Sequence, residues 1–97
     1  MTLKMQTPKD YFRESCFALE IGQRLAYKLS TPNPIEFNLH HHRPDGQMVY
    51  PDRLVVKSQH EKQMIVQSAG VYCFMATSLA DQPGPFDVVI NYEITAR

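Results

Sequence analysis

Four histidines carry the clearest chemical potential of this chain, and three are consecutive: His40, His41 and His42, with His60 standing apart. On a strand, residues two apart project from one face. His40 and His42 can therefore aim their imidazoles at a single ion. Imidazole nitrogen suits zinc and its divalent neighbours, but a site needs three or four ligands. His60, Asp45 and Asp52 could complete one, and His40, His42 and His60 form the expected metal set. The plainer reading leaves His40 and His42 as wet polar residues, with His41 turned into the core. Asn38 lies on the same row, and Tyr50 stands beside Pro51 at the far side of a turn. Asn38, His40, His42 and Tyr50 are thus the expected ligand contacts, with Tyr50 and the 43–46 loop also open to a sugar.

Catalytic devices are not evident. The serines at 15, 30, 58, 68 and 78 sit in no G-x-S-x-G elbow. The four glycines are scattered and build no phosphate-cradling loop. Cupin metalloenzymes pair an H-x-H motif with a glutamate shortly downstream, where this chain has Gly46 and Gln47. The expectation is a non-enzymatic module with no cofactor, or with zinc or another divalent transition metal on the histidine row.

Cys16 and Cys73 are the two cysteines, and they have no C-x-x-C spacing. They read either as two small buried apolar side chains or as one disulfide joining the first strand to a late one.

Ninety-seven residues make one domain with one core. Ten basic and ten acidic residues cancel, with no basic stripe for nucleic acid. No apolar run approaches the roughly 20 residues of a membrane helix. The first ten residues hold no signal-type apolar segment. The compartment stays open: cytoplasmic as written, periplasmic or secreted if a leader was removed.

The elements that must position these residues are strands. Turn signals recur about every eight to twelve residues, between segments of period-two alternation. The pattern predicts a loose, polar arm over 1–13, with a turn of helix near Pro8 to Arg13. Strands are then expected at 15–21, 24–30, 35–42, 47–50, 54–56, 63–67, 71–77 and 86–95. Loops fall at Thr31-Pro32-Asn33-Pro34, Pro44-Asp45-Gly46 and Asp81-Gln82-Pro83-Gly84-Pro85. About eight short strands with short turns make an all-β, antiparallel, jelly-roll-like β-sandwich over 14–97. Tyr72, Phe74 and Phe86 are expected in its core.

Several segments together carry a family resemblance. They are Ser15-Cys16-Phe17, Phe37-Asn38-Leu39-His40, Val49-Tyr50-Pro51, Gly70-Val71-Tyr72-Cys73-Phe74, and Pro85-Phe86-Asp87-Val88 running on to Ile94. Residues 14–95 so resemble the GOLD (Golgi dynamics) domain. That family is a compact antiparallel β-sandwich, the lumenal part of cargo receptors in early secretory membranes and an appendage of some lipid-transfer proteins. Its glycine–x–tyrosine–x–phenylalanine strand falls on Gly70, Tyr72 and Phe74, and its cysteine–phenylalanine pair on Cys16 and Phe17. In the membrane-anchored branch the first cysteine bridges to one in the late strand. Cys73 sits nearer the glycine than in that pattern, on the same face, so the resemblance leaves a bridge open. The 97 residues hold none of that branch's coiled-coil stem or membrane helix. The resemblance implies a stand-alone module that binds a protein or lipid-associated ligand without catalysis. A homo-oligomer joined through edge strands is a further expectation.

Overall fold

The computed structural model describes residues 1–6, 8–81 and 84–96. Eight strands follow in order: β1 (Thr2–Met5), β2 (Phe12–Leu19), β3 (Arg24–Ser30), β4 (Ile35–His42), β5 (Met48–Val56), β6 (Gln59–Ile65), β7 (Gly70–Ser78) and β8 (Phe86–Thr95). They form two four-stranded sheets, in the orders β1-β8-β3-β6 and β2-β7-β4-β5. Every pairing is antiparallel. The chain changes sheet at each connection except β4–β5, which gives the jelly-roll form of the sandwich.

Alternation builds the core. Leu25, Tyr27 and Leu29 of β3 and Val88 and Ile90 of β8 point inward from one sheet. Ile35, Phe37 and Leu39 of β4 and Tyr72, Phe74 and Ala76 of β7 meet them from the other. Phe74 is the centre, with Tyr27, Phe17 and Phe37 rings 5.0, 5.1 and 6.1 Å away. Without tryptophan, this cluster of offset rings supplies the largest side chains of a core otherwise built mainly from leucine, isoleucine and valine.

Residues 1–6 and 8–13 are not a loose arm. Thr2 to Met5 pair with Val89 to Phe86, and Leu3 and Met5 are buried. The physical reason is again alternation: Thr2 and Lys4 face water while Leu3 and Met5 cover the end of the core. In place of a helical turn, Pro8 to Asp10 form a bend in which Asp10 adopts a φ of 71°, and β2 begins at Phe12.

The expected break at Pro51-Asp52 is also absent, for β5 runs through it. The strand lies at a sheet edge, and its register slips between Leu39 and His41 of β4. An edge bulge is where a residue with no N–H donor is tolerated. In the expected loop at 81–85, Gln82 and Pro83 lie outside the described residues. The β4–β5 turn is closed by Arg43 N–H donating to Gln47 O at 2.9 Å and Gly46 N–H to Arg43 O at 3.0 Å. Gly46 takes a φ of 87° there, a conformation that costs other residues a Cβ clash. No helix is long and apolar enough to cross a membrane among the described residues.

Candidate functional site

The outer face of the β2-β7-β4-β5 sheet is a grid set by register. One row runs Phe12, Thr77, Glu36, Val55; the next runs Glu14, Met75, Asn38, Arg53. The third runs Cys16, Cys73, His40 and ends at the β5 bulge around Tyr50; the fourth runs Ala18, Val71, His42, Met48. The structure thus brings Asn38, His40, His42 and Tyr50 together, and sets the two cysteines beside them.

Cys16 and Cys73 are bridged, with an S–S distance of 2.02 Å and Cα atoms 4.0 Å apart. They are direct partners on neighbouring strands, so the bond links β2 to β7 within one sheet. The reading as two separate buried thiols does not hold.

His40 faces outward and yet is only 3% exposed. Its neighbours explain this: the bridge on one side, the Tyr50 ring at 6.1 Å, and the His42 ring edge-on at 5.0 Å. Nδ1 lies 2.7 Å from Asn38 Oδ1, and Nε2 lies 3.4 Å from Glu14 Oε2. Burial holds His40 below the ordinary histidine value, and the proximity of His42 adds to this, while Glu14 works in the opposite direction. Arg53 stacks over Tyr50 at 4.9 Å and pairs with Glu36 at 3.6 Å.

His60 does not join His40 and His42. It lies on β6 of the other sheet, with Nε2 donating to Asp52 at 2.8 Å. Asp52 faces inward from β5 and also accepts from the Tyr27 hydroxyl. Burial, reinforced by Asp52, pushes the Tyr27 phenol up, so it stays a proton donor. Lys62 Nζ donates to Pro51 O at 2.9 Å alongside. This polar clasp joins β3, β5 and β6 and seals one side of the sandwich. Asp45 is engaged in the hairpin turn, accepting from Gln47 N–H at 3.0 Å and pairing with Arg43 at 3.5 Å. Neither aspartate reaches the histidine row.

His41 turns inward and stacks on Tyr72, with centroids 4.2 Å apart and planes 12° off parallel. Its Nδ1 is 3.2 Å from Val71 O, and its Nε2 is 3.4 Å from Ser68 Oγ. A serine beside a histidine suggests a nucleophile and base. Here, however, a backbone carbonyl and not a carboxylate orients the ring, and the long contact leaves the hydroxyl weakly engaged. Tyr72 donates its hydroxyl to Ser68 O at 2.6 Å, which makes the group a packed corner. Gly70 is part of it: a Cβ there would lie 2.7 Å from His41 Cε1.

Sequence reasoning missed Glu14 and Arg53 as members of the face. Alternation along β2 places Glu14 with Cys16, but only the register of β2 on β7 and β7 on β4 sets them beside His40.

No family model matches the chain, and no curated protein matches it. Among solved structures it is similar to the crystal structure of a Yersinia pseudotuberculosis-derived mitogen. The TM-score is 0.59 at 10% identity, over 100% of this chain and 85% of that one. What the two share is the all-β fold.

Proposed function

We propose that the chain is a non-catalytic binding module that docks a protein partner on the outer face of the β2-β7-β4-β5 sheet. One observation carries this reading. Phe12, Val55, Met48, Val71 and Tyr50, exposed by 55, 53, 45, 45 and 43%, all stand on that single face. They ring the histidine–disulfide row, with Phe12 and Val55 at the two ends of one outer row and Val71 and Met48 flanking His42, so a partner lying across that row would cover all five. Tyr50 under Arg53 adds the residue types that anchor protein interfaces. The GOLD-like resemblance supports the same reading, since that family binds and does not catalyse. If a second copy adds through an edge, β1, β2 or β6 would serve, because Pro51 and the bulge blunt β5.

Photo-crosslinkers placed at Met48 and Val55 test the proposal against the same groups at Lys28 and Glu61 of the other sheet. Discrete adducts from the first pair alone, lost on Tyr50→Ala, are the expected result. Equal labelling from both faces, or none from either, would refute it.

A further inference from the structure

We propose that the same face holds a zinc-class metal ion when the Cys16–Cys73 bridge is opened, with Cys16, Cys73, His40 and His42 as ligands and Glu14 beside them. The inference rests on the reading of this face as the binding surface and adds a ligand to it. The ligand atoms of His40, His42 and Cys73 all lie within 4.8 Å of one another, and so do those of Glu14, Cys16 and Cys73. Cys73 belongs to both groups. Two overlapping groups therefore meet at Cys73 and at the 3.4 Å approach of Glu14 to His40, on three adjacent strands, which are a firmer scaffold than a loop.

The donor set is that of a structural zinc site, two sulfurs and two imidazoles. Tetrahedral bonds of about 2.0–2.3 Å put ligand atoms about 3.3–3.8 Å apart, so the two sulfurs, 2.02 Å apart in the bridge, must separate by roughly 1.7 Å while the histidine nitrogens close in by up to roughly 1 Å. β2 is an edge strand and can supply that movement. The Asn38 contact favours the same outcome. With Asn38 Oδ1 accepting from Nδ1–H, a neutral His40 turns its Nε2 lone pair toward the Glu14 carboxylate, two acceptors 3.4 Å apart. A cation between them removes that repulsion. A second contact fixing the far nitrogen is also what metal-bound histidines use.

Bridge and metal exclude each other, because the metal ligand is the thiolate and the bridged sulfurs carry no charge. A dithiol reductant delivers two electrons to the S–S bond, which breaks. The reductant closes its own disulfide and its two protons pass to the new thiols. Metal binding then displaces both protons to solvent. The chain would so present either a linked β2–β7 pair without metal or an unlinked pair held by an ion.

Cobalt(II) titration of the full chain, bridged and after reduction without oxygen, tests this. The reduced protein is expected to bind one ion with a sulfur-to-cobalt charge-transfer band, and zinc to displace it. The bridged form should bind at least about 100-fold more weakly, since losing even an outer partner of a ligand costs about 10- to 100-fold. His42→Gln, at an exposed position, should weaken binding by at least about tenfold without unfolding the chain, and His40→Gln likewise. Equal affinity in both redox forms, no thiolate band, indifference to both histidine variants, or a reduced chain that unfolds and is not restored by metal would each overturn the proposal. None of these results touches the docking reading, which is tested on the bridged protein.

Discussion

The two outer faces of the sandwich are built from strands of the same kind and carry different surfaces. On the β1-β8-β3-β6 sheet, Lys4, Arg24, Lys28, Glu61, Asp87 and Glu93 stand outward in solvent. Its ion pair Lys4–Asp87 spans 3.7 Å with both partners wet. The β2-β7-β4-β5 sheet carries fewer outward charges, Glu14 and the Glu36–Arg53 pair, and sets among them a disulfide, two histidines, a tyrosine and exposed aliphatic residues. A sandwich needs only its inner faces to be apolar. A charged outer face is therefore what solubility alone would select, and the second face departs from that in a way folding does not require.

The sharpest break of this comparison is removal of the bridge. Cys16→Ala with Cys73→Ala should cost about 4 kcal/mol in urea unfolding, because the bond closes a long loop in the unfolded chain. Lys28→Ala with Glu61→Ala, partners across β3 and β6 on the charged face, should cost less than about 0.5 kcal/mol. Equal losses would show that the two faces are energetically alike. Next in size is the corner beneath the histidine face. Gly70→Ala should lose about 2–3 kcal/mol, since its φ of 147° is strained for alanine and its Cβ meets His41 Cε1 at 2.7 Å. Adding His41→Ala should recover part of that loss; no recovery would place the cost in the backbone alone.

The smallest effect is titration. His40 is held below the ordinary histidine value of about 6.5, first by burial. As pH falls through about 6.5, the unfolded chain takes up this proton before the folded one, so acid favours unfolding. Stability is full above that value, declines below it, and levels off beneath the folded value. Glu14 and His42 are the titratable groups facing the ring, and they act in opposite senses. Thermal unfolding should show a slope below pH 6.5 that His40→Gln reduces; an unchanged slope would remove His40 from the account.

Much of this architecture was legible in the residues. β3, β4 and β8 match their expected bounds because alternation there is clean and prolines or glycines flank it. The row Asn38, His40, His42 followed from the two-residue period alone. β1 escaped notice because four residues between polar neighbours give too short a period to recognise. β5 was divided at Pro51 because proline reads as a breaker until the sheet order shows an edge. His60 was assigned to the wrong site for a related reason. Spacing within a strand tells which residues share a face, but only register tells which strands lie side by side.

The β4–β5 hairpin is the one connection that stays within a sheet, and that has a consequence in time. Its strands can meet after closing a turn of a few residues, whereas β1 must find β8 and β2 must find β7 across most of the chain. Loop closure costs more, and folding slows, as paired segments lie further apart in sequence. On that ground Asn38, His40, His42 and Tyr50 are expected to come together first, on a local hairpin, before Glu14, Cys16 and Cys73 join from more distant segments. During biosynthesis the histidine half of this face would be present, uncovered and without its sulfur neighbours, until the closing strands dock.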